Sequence, residues 1–118
     1  MTTPKGPFRL VSVNTAPDRA RRVIGRVADL LRDRYIIVHE ANCEKIEDVG
    51  PTVTELMPDV LFSASMWTDD EARQIHATAR AIKPDIKLHA IPLGLQVERG
   101  PEWIVEYLCQ EAPALLDS

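Results

Sequence analysis

The sequence predicts a three-layer, doubly wound α/β fold in which helices cover both faces of a parallel sheet. Short apolar runs alternate along the chain with longer segments whose apolar residues recur at helical spacing, and the apolar runs lack the polar alternation of a strand with one face in water. Right-handed crossovers with one strand swap give the flavodoxin-like strand order 2-1-3-4, with a possible fifth strand at residues 94–98. The length of 118 residues and the 45% hydrophobic content suit a single domain over residues 1–118, with residues 1–7 flexible.

The first half of the chain contains two predicted strands and two predicted helices. Residues 8–13 form a buried strand, residues 18–34 form a helix, and residues 35–38 form the second strand. The helix buries a stripe formed by Ala20, Val23, Ile24, Val27 and Leu31. A second helix spans about residues 44–57, where Gly50-Pro51 predicts either a kink or a restart with Pro51 in a first turn.

The second half continues the alternation. Residues 60–65 form the most central strand, and Thr68 with Glu71 has the pattern of a capping box that begins a helix ending near Ile82. A fourth strand covers residues 88–91. After a loop rich in Gly and Pro, Pro101 begins a last helix that ends near Gln110, with Ile104, Val105 and Leu108 turned inward.

Four segments in this order resemble the bacterial response-regulator receiver family over about residues 8–93. They are residues 11–17, residues 35–44, residues 58–68 and residues 83–91. In receivers an acidic pair that holds Mg²⁺ follows the first strand, and a phosphoacceptor Asp ends the third. This chain has Asn14 and Thr15 at the acidic pair, Ala64 at the acceptor, and Pro92 where a Thr or Ser hydroxyl is usual.

The resemblance implies a pseudo-receiver, a signalling module that cannot take up phosphate and that works through protein contacts. It implies no catalytic residue, no metal and no cofactor. We expect an unidentified protein partner and self-association, with a dimer favoured. The chain after Leu93 is too short for the remaining receiver elements, so it is predicted to form the contact surface, with Leu93, Leu95, Val97, Trp103 and Tyr107 as candidates.

Ligands of doubly wound folds bind at the carboxyl ends of the strands, where the strand order reverses. The predicted crevice there is lined by Asn14, Thr15, Ala64, Ser65, Met66 and Trp67. Trp67 is either an exposed anchor at the rim or a side chain packed against the fourth strand or a nearby loop. The alternative function is therefore a sensor that binds a metabolite in this crevice.

Charge is distributed unevenly. Residues 1–34 carry eight basic and three acidic side chains, whereas the whole chain has a net charge of −4. Arg19, Arg22 and Arg26 share one helical face, which is interpreted as a solvated face that can also complement an acidic surface of a second copy. The acidic net charge and the absence of interleaved aromatic residues argue against nucleic acid as a partner.

Several other functions find no support in the sequence. No apolar stretch could span a membrane and no leader is visible, so a cytoplasmic protein without membrane contact is expected. Cys43 and Cys109 are interpreted as reduced structural thiols. Ser63 and Ser65 lack an evident base, and the three histidines lack the spacing of metal ligands.

Overall fold

The computed structural model describes residues 3–92, residue 94 and residues 99–117. Its elements follow one another as β1 (Lys5–Val13), α1 (Pro17–Leu31), β2 (Tyr35–Cys43), a 3-10 turn (Ile46–Asp48), α2 (Val49–Leu56), β3 (Val60–Ser63), α3 (Asp69–Ile82), β4 (Lys87–Ala90) and α4 (Pro101–Asp117). In this part of the chain, no helix is long and apolar enough to cross a membrane.

The four described strands form one parallel sheet in the order β2-β1-β3-β4, which confirms the predicted doubly wound, flavodoxin-like fold. Leu10 of β1 lies between His39 of β2 and Val60 of β3, and Val60 in turn pairs with Lys87 of β4. The reversal of strand order therefore lies between β1 and β3, as predicted.

Each face of the sheet has its own hydrophobic core. Leu10 and Phe62 point to the face covered by α1 and α4, where the predicted stripe of α1 is buried. Val11, Val13 and Leu61 point to the other face, which α2 and α3 cover. Alternate residues of the central strands thus meet helices on both sides, which explains why these strands have no polar face.

The strand boundaries differ from the prediction at several ends. β1 begins at Lys5 rather than at Phe8, and the Lys5 main-chain N–H donates to the Arg34 carbonyl. β2 continues to Cys43, whereas β3 already ends at Ser63. Of the predicted fifth strand, Gly94 is in a turn and residues 95–98 lie outside the described residues.

Local sequence signals set the starts of α2 and α3 but not the end of the last helix. Of the two alternatives predicted at Gly50-Pro51, the structure has the restart, because α2 begins at Val49 with Pro51 in its first turn. The capping box is also confirmed, since the Thr68 hydroxyl accepts from the Glu71 N–H and the Glu71 carboxylate accepts from the Thr68 N–H. The last helix was predicted too short, because α4 continues past Gln110 and through Pro113 to Asp117.

Candidate functional site

The carboxyl ends of β1 and β3 form a small, partly enclosed cavity rather than an open crevice. Asn14, Ala64, Ser65 and Met66 line it, as the sequence predicted, together with Arg19 from α1. Its volume is about 30 Å³, which is room for about one water molecule. The predicted residues Thr15 and Trp67 do not line this cavity; Thr15 is exposed.

The polar groups of Asn14 form hydrogen bonds with the loop that follows it and with the end of β2. Its Oδ1 accepts a hydrogen bond of 2.7 Å from the Ala16 N–H, and its carbonyl accepts one of 2.9 Å from the Asn42 amide. Its own N–H donates to the Cys43 carbonyl over 2.9 Å. Asn14 is therefore a buried residue that holds the β1–α1 loop against the end of β2.

Trp67 is half-buried and packs on the core beneath α2 and α3. Its indole Nε1–H donates to the Val13 carbonyl over 2.8 Å, and the same carbonyl accepts from the Ala64 N–H over 3.0 Å. The polar edge of the indole thus joins the loop after β3 to the end of β1. Of the two placements that the sequence left open, Trp67 takes the packed one, with its indole N–H bonded to the end of β1.

A polar network that the sequence did not predict joins β1 to β2 beside the cavity, which Ser12 also lines. The Ser12 hydroxyl donates to Asn42 Oδ1 over 2.7 Å and lies 2.7 Å from His39 Nε2. Because the single hydroxyl proton of Ser12 goes to Asn42, His39 must donate its Nε2–H to Ser12. Burial lowers the pKa of His39, which favours the neutral imidazole with its proton on Nε2. The network therefore satisfies polar groups inside the sheet.

Ser63 has a histidine neighbour, which corrects the expectation that no base stands near it. Its hydroxyl lies 3.1 Å from His76 Nε2 on α3, and it also points toward the His89 carbonyl at 3.4 Å. Burial lowers the pKa of His76, so the ring is neutral near pH 7. Ser63 itself is 0% exposed, so this pair has the chemistry of a nucleophile and base without access for a substrate.

Among the predicted contact residues, Trp103 and Tyr107 lie together on α4. Their rings stack at 5.6 Å between centroids with an interplanar angle of 12°, and the guanidinium of Arg99 lies 5.6 Å from the Trp103 centroid. The Tyr107 hydroxyl lies 2.9 Å from His89 Nε2 on β4. The other three candidates, Leu93, Leu95 and Val97, lie outside the described residues.

The structure brings the predicted basic face together. Arg19, Arg22 and Arg26 line an open groove of about 350 Å³, which Pro101 and Glu102 at the start of α4 close on the other side. Arg26 makes an ion pair of 3.5 Å with Glu102, and both side chains are largely exposed. The groove is basic, but an acidic side chain already occupies one wall.

The described residues contain no group of three or more His, Cys, Asp or Glu side chains that could hold a metal ion. Cys43 and Cys109 are both free thiols, and burial raises the pKa of each. Both thiols are therefore protonated and poorly nucleophilic near neutral pH.

The comparison of the chain with protein-family models finds no match, and the comparison with curated proteins finds none either. The geometry of the described residues therefore carries the functional argument by itself.

Proposed function

We propose that this chain is a receiver-like signalling module that cannot be phosphorylated and that acts through contacts with a protein partner and with a second copy of itself. The observation that carries the proposal is the ring cluster of Trp103, Tyr107 and His89. Trp103 is 36% exposed, yet its ring contacts both the guanidinium of Arg99 and the ring of Tyr107.

Such a cluster suits protein recognition for a physical reason. Interfaces concentrate binding energy in a few aromatic and arginine side chains, and a side chain that is already fixed loses little rotamer entropy on binding. Tyr107 is fixed in turn by its hydrogen bond to His89, which stands on the sheet. The cluster therefore joins an exposed anchor to the rigid part of the fold.

The carboxyl end of the sheet supports the other half of the proposal. Phosphoryl transfer in a receiver needs carboxylates that hold Mg²⁺ and one that accepts the phosphoryl group, since hard cations prefer oxygen ligands with charge. Asn14 is engaged with the main chain, Thr15 is exposed, and Ala64 offers only a methyl group. A metabolite sensor has less support, because ligand pockets measure roughly 300 Å³ or more and the cavity here holds about 30 Å³.

The proposed contact with a protein partner is tested by using the full chain as bait in extracts of its own host. Trp103→Ala should remove a partner that the wild-type chain retains, and the purified pair should bind about 30-fold more weakly, as expected when a hot-spot side chain is truncated. Leu30→Ala is the matched control, because Leu30 is 59% exposed on another surface. Retention of every partner by Trp103→Ala would contradict the proposal.

The proposed inability to accept a phosphoryl group is tested by intact-mass spectrometry after incubation with acetyl phosphate and Mg²⁺. We expect no added phosphoryl mass, whereas an authentic receiver in the same reaction should gain it. Uptake of one phosphoryl group by this chain would show that a nucleophile has been overlooked.

A further inference from the structure

β2 is an outer strand of the described sheet, and its second face is left uncovered near the start of the strand. Ile36 is 44% exposed and Val38 is 40% exposed, whereas Ile37 between them packs against the core under α1 and α4. Edge strands are usually protected from pairing by Lys, by Pro or by bulges. β2 contains neither Lys nor Pro. Its own extra residue is Glu40, and the other irregularity in its pairing lies in β1, between Lys5 and Phe8.

The main-chain groups of this segment have a defined direction. The carbonyl of Arg34 accepts from Lys5 of β1, and the Ile36 oxygen also faces β1, because a Cβ added to Gly6 would lie 2.7 Å from it. Successive residues of a strand point their N–H and C=O groups to opposite sides. Tyr35, Ile37 and His39 therefore direct their main-chain groups away from the sheet, toward the open edge.

We propose that β2 pairs with β2 of a second copy, antiparallel and about a twofold axis at Ile37. Ile37 then faces its own symmetry mate as a hydrogen-bonded pair, because its N–H and C=O both point outward. Tyr35 likewise pairs with His39 of the second copy. This inference rests on the self-association in the proposed function and assigns it to one strand and one register.

Charge and apolar contacts select this register among its neighbours. With the axis at Ile37, Ile36 lies opposite Val38 of the second copy, and Arg34 lies opposite Glu40. Arg34 and Glu40 are both exposed, so each dimer gains two ion pairs, each between Arg34 of one copy and Glu40 of the other. An axis at Val38 would place Ile36 opposite the Glu40 carboxylate, and an axis at Ile36 would place Arg34 opposite Val38.

The dimer joins the two sheets into one of eight described strands. Two apolar pairs become cross-strand neighbours, at non-hydrogen-bonded positions where side chains approach most closely. Glu40 already has a partner in Arg9 at 3.3 Å, so the incoming Arg34 adds a second cation to an oriented carboxylate. The bulge at Glu40 ends the regular pairing, which limits growth beyond this segment.

The test is native mass spectrometry of the full-length chain over a concentration series at low ionic strength, where exposed charges are least screened. The wild-type chain should show a monomer–dimer equilibrium. Arg34→Glu and Glu40→Arg each place like charges opposite one another twice per dimer, so each should weaken dimerisation by about tenfold or more. Arg73→Glu, the same charge change at an exposed position of α3, should leave the dimer unchanged.

A mixture of the two charge variants gives the sharpest result. In a dimer of Arg34→Glu with Glu40→Arg, both cross-strand contacts again join opposite charges, so the mixed dimer should form in preference to either homodimer. Its mass distinguishes it from both. The double variant I36T/V38T keeps strand-forming side chains and removes apolar contact, so it should also weaken the dimer.

A wild-type chain that stays monomeric at every concentration would overturn the inference, and so would a dimer that ignores both charge variants. Neither outcome bears on the contact through Trp103, which is measured separately. If instead Trp103→Ala retains every partner while the mixed dimer forms, the partner proposal fails and the β2 pairing stands.

Discussion

At the scale of single residues, Trp67 and Asn14 show that a polar side chain near the predicted crevice can be used in hydrogen bonds to the protein's own main chain. Both bond to main-chain groups where β1 ends. The sequence predicted their position, because the carboxyl ends of neighbouring strands meet at one edge of the sheet. It could not predict which partner each would take, since an indole N–H and an amide serve a loop or a ligand equally well.

Trp67→Phe should lower the free energy of unfolding by about 1 kcal/mol, the usual net contribution of one hydrogen bond. The loss stays small because the Val13 carbonyl keeps its bond from Ala64. Urea denaturation measures it, with Trp103→Phe as the matched control. Among the described residues the Trp103 indole N–H has no hydrogen bond like that of Trp67. The unfolding free energy of Trp103→Phe should therefore stay within about 0.5 kcal/mol of the wild type. Equal losses in both variants would remove the structural role assigned to the Trp67 indole N–H.

The position of His76 was open to prediction in part. It follows the buried Ile75 directly and precedes the buried Ala79 by three residues, so it borders the face of α3 that packs on the sheet. The hydrogen bond to Ser63 needed a further fact, namely how far α3 lies along β3, and that offset depends on the loop from residue 64 to 68. Side-chain pairs across elements are therefore harder to predict than faces.

At the scale of elements, α4 shows where a local rule misleads. Proline inside a helix removes one main-chain hydrogen bond, which favours an end near Gln110. The helix nevertheless continues, because Ala112 and Leu116 are buried in the core that α1 shares with α4. Its far end is held as well, since Asp117 accepts hydrogen bonds of 2.8 Å from Lys5 and from the Tyr35 hydroxyl. Tertiary packing outweighs the cost of Pro113.

Pro113→Ala should therefore stabilise the protein. Alanine restores an N–H that can donate to the Cys109 carbonyl four residues earlier, and it is the best helix former, so we expect a gain of about 1–2 kcal/mol in the free energy of unfolding. Pro113→Gly supplies the same N–H but is about 1 kcal/mol less favourable in a helix. Thermal and urea unfolding should rank alanine above glycine. A loss of stability with alanine would mean that the ring of Pro113 packs better than the restored bond compensates.

At the scale of the whole molecule, the strand order and the two cores could be predicted because they follow from alternation and crossover handedness. The surfaces that make contacts could not, since they depend on which apolar side chains the helices leave uncovered. Ile36 and Val38 illustrate this point. Their apolar character suits a central strand, and only the short span of α2 and the outer position of β2 leave them exposed.

The three histidines should make the stability of the whole fold depend on pH. His39, His76 and His89 lie on β2, α3 and β4, and burial is the main cause that lowers the pKa of each below its ordinary value. At His39 a hydrogen bond to the main chain of Ala41 opposes this shift and Arg21 adds to it. Arg80 lowers the pKa of His76 further, whereas Glu111 opposes the shift at His89. The unfolded chain, with histidine pKa values of about 6.5, therefore binds more protons than the folded chain once the pH falls to that value.

The free energy of unfolding should consequently be highest near neutral pH and should fall as the pH drops through about 6.5 toward the folded pKa values. Asp117 does not interfere, because Lys5 and Tyr35 lower the pKa of its carboxyl and its contribution is lost only in more acidic solution. Urea denaturation at pH 7 and pH 5 measures the change. His76→Gln removes one titrating ring while leaving an amide that can bond to Ser63, so its stability should fall less than that of the wild type between the two pH values. A wild-type protein as stable at pH 5 as at pH 7 would mean that these rings are hydrated in the folded chain, and that the polar contacts across β1, β2 and β3 are looser than the structure has them.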